Sequence, residues 1–225
     1  MLMFFLVVVG VLSLIYGYIG WRIILPLSLQ APWNTALWIT LFVFMVLPFI
    51  PMLLRNSEVS PTFLTVISWV SFVGLGFFFL LFTFLILKDS GWGLFLAFKK
   101  LSSFFASSGG STSSMGREFD PDRRLLLTNM LNLGTLGMVT VLTGYGIYEA
   151  RRKPAIVSLD VPIPNLPEDL NGFRIVQITD LHVGLTVHKD WVEKIVDIVN
   201  SLAADVLVFT GDLADGTVAQ LKEDV

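Results

Sequence analysis

The sequence predicts a four-span α-helical membrane region followed by the first βαβ portion of an α/β domain. Of the 225 residues, 54% are hydrophobic and 15% are charged, and the mean hydropathy is +0.75. Such a composition is far more apolar than that of a soluble domain. Uncharged runs fill most of residues 1–150, and a strand–helix–strand pattern occupies residues 173–225. We therefore expect a transmembrane region over 1–150, a linker over 151–172 and an α/β domain over 173–225.

Four uncharged runs are long enough to cross a hydrocarbon core of about 30 Å at a helical rise of about 1.5 Å per residue. Prolines 48 and 51 are expected to kink the far end of the second run, and the glycines of the fourth run are expected to allow close helix packing. No Asp, Glu, Lys, Arg or His lies within the runs, which argues against a transporter. The expected spans are about 1–21, 34–54, 60–87 and 125–148.

Two segments, 88–124 and 151–172, differ in composition from the uncharged apolar runs. Residues 88–124 include a Ser/Gly-rich stretch and are expected to form a flexible connector. Within it, Gly91–Phe98 is too short to cross a membrane and is expected either in the interface or as a buried helical turn. The linker over 151–172 holds four of the chain's ten prolines. It is expected to carry one edge strand near Ile156–Val161.

The charge pattern predicts orientation and excludes some partners. Lys and Arg number seven in the first and third connections and four in the second connection and the segment after the fourth span. This excess favours the first and third connections inside, so the C-terminal domain is expected on the outward side of the membrane. The formal net charge is −3 without a basic stripe, so no nucleic-acid partner is expected. The chain has no cysteine, which excludes disulfides and thiolate metal sites.

The sequence of the C-terminal region predicts a strand, a helix and a second strand. Phe173–Thr179 and Val206–Thr210 are short apolar runs that predict strands buried on both faces of a parallel sheet. Lys189–Ala203 between them has helical spacing of its apolar residues, which are Val192, Ile195, Val196, Val199 and Leu202. Parallel strands joined by a crossover helix end at the same edge of the sheet, and ligand sites of open α/β sheets lie beyond that edge.

Asp180, His182 and Asp212 follow the two predicted strands and are expected to meet at this edge. Carboxylate oxygens combined with an imidazole nitrogen suit Mn, Fe or Zn better than Ca. The alternative is that Asp180 and Asp212 cap the turns after their strands and that His182 is a loop residue. The sequence thus predicts a metal site with three candidate ligands.

The motifs ITDLHVG and FTGDLADG, each after an apolar strand and with a helix between them, resemble the opening of the calcineurin-like metallophosphoesterase family. The two motif sequences are similar to those of the membrane-anchored bacterial branch of that family, which implies a bacterial plasma (inner) membrane. The resemblance implies an αββα sandwich and two divalent ions, Mn, Fe or Zn. It also implies that Asp180 and His182 bind the first ion and that Asp212 bridges to the second, with a metal-held hydroxide attacking phosphorus.

Three other residues near the motifs have structural explanations. Asp215 matches an acidic position of the family's GDxxD pattern, and we expect it to support the site behind the ligands without binding the ion. His188 precedes the predicted helix, where capping or exposure is favoured over metal binding. Trp191 on the helix is expected to pack and not to contact substrate.

The remaining family motifs are absent from the sequence. The Gly-Asn-His-Asp/Glu motif, a further histidine and the Gly-His-x-His motif do not occur, and His182 and His188 are the two histidines. No residue is therefore assigned a catalytic role. We expect residues 173–225 to be the truncated N-terminal part of a phosphoesterase domain. This chain alone is expected to be inactive and to bind at most one ion.

These observations predict a membrane-anchored, metal-dependent phosphoesterase, a hydrolase acting on a phosphomonoester, a phosphodiester or a lipid-linked pyrophosphate. The expected partners are the lipid bilayer and a phosphate-ester substrate, which the nearby membrane suggests is a lipid. A membrane scaffold or sensor with a degenerate phosphoesterase-like domain is the alternative. In-frame GNH and GHxH motifs encoded after Val225 would favour the enzyme.

Overall fold

The computed structural model describes residues 2–54, 57, 59–106, 121–184 and 186–221. Contacts divide the chain into two compact units. The first unit comprises residues 1–56 and 70–150, and the second comprises residues 57–69 and 151–225. Each unit is described by itself.

The first unit is helical, as its apolar composition predicts. A π-helical turn, Gly20–Ile24, and a 3₁₀ turn, Leu25–Leu27, extend the first helix without a break in the chain. The fourth helix begins in the second unit and continues through the first. The α-helices are α1 (Leu2–Ile19), α2 (Trp33–Val46), α3 (Phe49–Leu54), α4 (Pro61–Ala106) and α5 (Pro121–Ala150).

Three segments of the described chain are helices long and apolar enough to cross a membrane, namely Met3–Leu27, Pro61–Phe104 and Asp122–Ala150. The predicted second span is instead divided into α2 and α3, because the helix stops at a turn that includes Pro48. Proline lacks the backbone N–H that would donate the next hydrogen bond of the helix. The predicted kink is thus a break. The second of the predicted spans, and with it the count of four, stays a prediction.

Helix α4 corrects the predicted connector. It has 46 residues and continues through Lys88 to Ala106, so Lys88–Ala106 is helical and not flexible. At about 1.5 Å per residue, α4 is about 69 Å long, more than twice the thickness of a hydrocarbon core. Every residue of Gly91–Phe98 is exposed, which is inconsistent with a buried helical turn. The Ser/Gly-rich remainder at 107–120 lies outside the described residues.

The core of the first unit forms where α1, α2, α4 and α5 meet. Tyr16 contributes its ring to this core and donates a hydrogen bond of 3.3 Å to the carbonyl oxygen of Phe44. A Cβ atom on Gly20 would lie 2.4 Å from the Trp38 ring, so a side chain there would overlap the ring. No described atom lies within 4 Å of a Cβ built on Gly134, Gly137, Gly144 or Gly146. The close helix packing expected at these glycines is therefore not observed in the described residues. The buried core residues are Ile15, Tyr16, Ile19, Ile24, Leu41, Leu81, Leu85 and Val139.

The second unit contains the predicted βαβ unit. Strand β1 (Ile175–Ile178) pairs in parallel with β2 (Val206–Phe209), with Ile175 opposite Val206, and α6 (Lys189–Ser201) connects them. Ile195 on α6 is buried, whereas Val196 is 49% exposed and departs from the predicted apolar face. The chain then forms a short helix, α7 (Val218–Leu221).

The predicted burial of the strands and the predicted edge strand are not observed in the described residues. Every residue of β2 is exposed and β1 alternates between exposed and half-buried, because a two-stranded sheet with one neighbouring helix leaves much of its surface uncovered. Ile156–Val161 forms no strand and is exposed. The prolines that flank it, Pro154 and Pro162, lack the amide needed for a ladder.

Candidate metal centre

The candidate centre is built by the two loops that follow β1 and β2. The loops continue the parallel pairing beyond the strands. The amide of Asp180 donates to the carbonyl oxygen of Gly211 (3.2 Å), the amide of His182 donates to that of Asp212 (3.2 Å), and the amide of Val183 donates to that of Leu213 (2.9 Å). Val183 is fully buried. These hydrogen bonds hold the two loop segments that carry the three candidate ligands side by side.

The candidate ligands share an uncommon backbone conformation. The φ angles of Asp180, His182 and Asp212 are +55°, +50° and +54°, in the left-handed region that few residues other than glycine adopt. Asp tolerates this region better than most residues, and His is also enriched there. Such conformations cost about 1–3 kcal/mol each and concentrate at functional sites. The loops therefore hold these side chains in a geometry that local preference alone would not select.

The three side chains converge as the sequence predicts. The ligand atoms of Asp180, His182 and Asp212 lie within 4.8 Å of one another, and all three residues are exposed. His182 Nε2 is 3.4 Å from Asp212 Oδ2 and 3.9 Å from Asp180 Oδ1. The candidate centre is thus an open cluster of one imidazole and two carboxylates.

These separations fit a single ion. Two ligand atoms bound about 2.1 Å from a tetrahedral ion are about 3.4 Å apart, and two such bonds span at most about 4.2 Å. The distances of His182 Nε2 to Asp212 and Asp180 fall within this range. Asp180 and Asp212 are exposed, so small rotations of their carboxylates can complete the coordination. Oxygen and imidazole donors together suit Mn, Fe or Zn.

Asp215 contacts the side of the His182 ring that faces away from the other two carboxylates, and its supporting role stays a prediction. Its Oδ2 is 3.1 Å from His182 Nδ1, which leaves Nε2 directed at Asp180 and Asp212. A Cβ atom on Gly184 would lie only 3.2 Å from the Cβ of Asp215, so the glycine permits the two loops to approach. A carboxylate that accepts from one ring nitrogen fixes the tautomer in which the other nitrogen can bind a metal.

The same carboxylates make His182 more basic. The hydrogen bond to Asp215, followed by the charge of Asp212, raises the pKa of His182 above its usual value of 6.5. When it is protonated, the ring places a positive charge among three carboxylates, at the position where an ion would sit. A metal ion therefore competes with this proton for His182.

The other histidine lies elsewhere. His188 is the N-terminal cap residue of α6, but its side chain makes no capping hydrogen bond. Its Nε2 is 3.2 Å from Thr65 Oγ1 near the start of α4, so this ring contacts another helix and not the candidate centre. Trp191 is half-buried, which is consistent with the expected packing role.

Two threonines at the strand ends were not predicted to contribute. Thr179 Oγ1 donates to Asp180 Oδ2 at 2.7 Å, and Thr210 Oγ1 accepts from Gln177 Nε2 at 3.0 Å. Both threonines directly follow a strand, so each hydroxyl lies at the sheet edge that carries the ligands. The signal in the sequence is that threonine precedes Asp180 and precedes the Gly-Asp pair.

Sequence comparison finds relatives that are named metallophosphoesterases. A "transmembrane protein with metallophosphoesterase domain" of Danio rerio is 41% identical over 85 residues, which are 38% of this chain and 20% of the relative. An uncharacterised metallophosphoesterase of Helicobacter pylori is 34% identical over 131 residues, 57% of this chain and 33% of the relative. The UDP-2,3-diacylglucosamine pyrophosphatase LpxG of Chlamydia muridarum is 44% identical over 57 residues, 25% of this chain and 17% of the relative.

The matched segments cover 17–33% of the length of these three relatives. No family model matches the chain, and no solved structure matches it. The relatives come from animals as well as bacteria, so the similarity is not restricted to the predicted bacterial branch. These relatives share the metallophosphoesterase designation, so the chain is similar to part of metallophosphoesterases from animals and bacteria.

Proposed function

We propose that the chain contributes to a membrane-anchored, metal-dependent phosphoesterase, and that Asp180, His182 and Asp212 hold an ion at its catalytic site. The observation that carries the proposal is the convergence of these three ligand atoms within 4.8 Å at the carboxyl edge of a parallel sheet. Sites of open α/β sheets lie at this edge. The apolar helices support the membrane attachment.

Each residue has a distinct task in this proposal. Asp180 and Asp212 supply negative charge, and His182 supplies a neutral nitrogen once its proton has left. Asp215 holds the His182 ring so that Nε2 faces the ion. A bound divalent ion supplies a water nucleophile of lowered pKa and neutralises charge on the phosphoryl oxygens. In the two-metal arrangement that the family resemblance implies, Asp212 would be a ligand of both ions.

The proposed substrate is a phosphate ester or pyrophosphate attached to a lipid. Within the described residues, three helices are long and apolar enough to cross a membrane, which favours a substrate that resides in the same bilayer. One relative is named a UDP-2,3-diacylglucosamine pyrophosphatase, whose named substrate is a diacylated pyrophosphate. Both observations favour a lipid-linked substrate over a soluble one.

The proposed topology has four spans and places the phosphoesterase domain outside the cytoplasm. The excess of Lys and Arg in the first and third connections supports this orientation. A reporter that is active only outside the cytoplasm, fused after Lys153, is expected to be active. Activity of a cytoplasmic reporter at the same position would instead show that the domain faces the cytoplasm.

Metal-dependent hydrolysis of bis(p-nitrophenyl) phosphate tests the proposed function. The assay compares the 225-residue chain with the product of the whole reading frame that contains it, in the presence of Mn²⁺. The 225-residue chain, with ligands for one ion, is expected to be inactive. A longer product that carries the further family motifs is expected to be active and to lose at least about 100-fold of its activity on Asp212→Asn substitution, since even supporting residues change metal sites by about 10–100-fold.

Asp197→Asn is the matched control, because Asp197 lies exposed on α6 and is not one of the candidate ligands. This variant is expected to retain full activity. Unchanged hydrolysis in the Asp212→Asn variant of the longer product would contradict the proposed function. That result would favour the scaffold or sensor.

A further inference from the structure

A second polar cluster lies in the first unit, at the end of α1. Arg22, in the π-helical turn, donates a hydrogen bond to Asp89 of α4, and Tyr18 Oη donates to the same carboxylate. Lys88 Nζ donates to Asn132 Oδ1 of α5, and Asn132 Nδ2 donates to the carbonyl oxygen of Arg22 at 2.7 Å. We call these five residues the Arg22–Lys88 cluster.

The cluster has the features of a membrane–water boundary. Trp21 is 56% exposed, its ring is 5.9 Å from the Tyr18 ring, and Arg22 Cζ lies 5.5 Å from its centroid. Trp and Tyr are enriched at the level of lipid headgroups. The side chains of Arg22, Lys88 and Asp89 are 22–26% exposed, so the cluster can be reached from outside the helices.

The charges within the cluster do not balance. Arg22 and Lys88 carry two positive charges, and Asp89 carries one negative charge. Lys88 Nζ is 3.9 Å from Asp89 Oδ1, and that carboxylate already accepts from Arg22 and Tyr18. Within the described part of the chain, Arg22 Nε is buried without a hydrogen-bond partner. One positive charge is therefore uncompensated where charges are costly.

We propose that this cluster binds the phosphate of an anionic phospholipid headgroup. A lipid phosphodiester is the anion that is abundant at this depth, and basic residues between membrane helices bind such headgroups. Lys88 supplies the uncompensated charge, and the exposed Trp21 ring, beside Arg22, is available for contact with the glycerol and upper acyl chain. The cluster belongs to the first unit and the candidate metal centre to the second, and the proposal does not depend on phosphoesterase activity.

Native mass spectrometry of the detergent-solubilised 225-residue chain tests the proposal. The chain is titrated with phosphatidylglycerol and, separately, with phosphatidylcholine, and is expected to prefer phosphatidylglycerol. Lys88→Gln removes the charge and keeps an amide able to donate to Asn132. It is expected to weaken phosphatidylglycerol binding about fivefold, the effect of one basic residue near an anionic surface. Lys99→Gln, on the exposed part of α4, is the matched control and is expected to have no effect.

An opposite change separates binding from a folding defect. Asp89→Asn raises the net charge of the cluster from +1 to +2 and is expected to strengthen phosphatidylglycerol binding about fivefold, which an unfolded variant would not show. Equal affinity for the two lipids in the unmodified chain, or equal losses in Lys88→Gln and Lys99→Gln, would overturn the proposal. Displacement of phosphatidylglycerol by millimolar inorganic phosphate would also overturn it, since the site would then take free phosphate.

Discussion

Removing single carboxylates from the metal centre is expected to lower zinc affinity in a graded way. The relevant dielectric is close to that of water, because the side chains of Asp212 and Asp215 are 54% and 60% exposed. A carboxylate bound about 2.1 Å from a dication then contributes about 4 kcal/mol of attraction. Asp212→Asn removes this charge and keeps a neutral oxygen, so the dissociation constant is expected to rise about 1,000-fold.

Asp215 acts from a greater distance, across the His182 ring. At about 6.5 Å from the ion, its charge contributes about 1.3 kcal/mol, which corresponds to about tenfold in affinity. This value is at the lower end of the 10–100-fold effects of supporting residues behind a metal ligand. Asp215→Asn is therefore expected to raise the dissociation constant of zinc about tenfold, compared with about 1,000-fold for Asp212→Asn.

Isothermal titration calorimetry of the solubilised chain with zinc measures these constants. Asp197→Asn on the exposed face of α6 serves as the matched control and is expected to leave the affinity unchanged. An effect of Asp215→Asn as large as that of Asp212→Asn would refute the assignment of Asp212 as a ligand and Asp215 as its support. A comparable effect of Asp197→Asn would show that overall charge, and not the site, determines binding.

Two further predictions concern the helical core and the histidine of the metal centre. Gly20→Ala places a methyl group against the Trp38 ring and is expected to destabilise the chain by about 1–3 kcal/mol, whereas Gly10→Ala, in open space, is expected to leave the thermal midpoint unlowered. Asp215→Asn is expected to lower the pKa of His182, because their hydrogen bond is the main cause that raises it; NMR titration of the metal-free chain measures this, and an unchanged pKa would contradict the assigned pairing. Since the raised pKa favours the protonated folded form, the associated stabilisation is present at low pH and is lost as pH rises through that pKa.

The βαβ unit and the meeting of its candidate ligands could be predicted from the sequence. Apolar runs that each end at an aspartate predict two strands, and the helical spacing between them predicts the crossover. Asp180 and Asp212 then lie at the same edge because parallel strands share one direction. The left-handed backbone of the ligands could not be predicted, because it depends on hydrogen bonds between the two loops.

The helical region was predicted less completely. Hydropathy indicates which residues suit a membrane but not where a helix ends, so the continuation of α4 to Ala106 was missed. Charged and small residues after Leu87 are compatible with a helix in water. The contact of Arg22 with Asp89 joins residues 67 positions apart, and sequence spacing carries no signal for such a contact.

The ligation of His182 is the most direct test of the metal centre. The chain has two histidines, so electron spin echo envelope modulation of bound Mn²⁺ can detect a single imidazole nitrogen and assign it by substitution. The modulation from nitrogen is expected in the unmodified chain and in His188→Gln, and is expected to vanish in His182→Gln. Nitrogen modulation that persists in His182→Gln but disappears in His188→Gln would contradict the proposed centre.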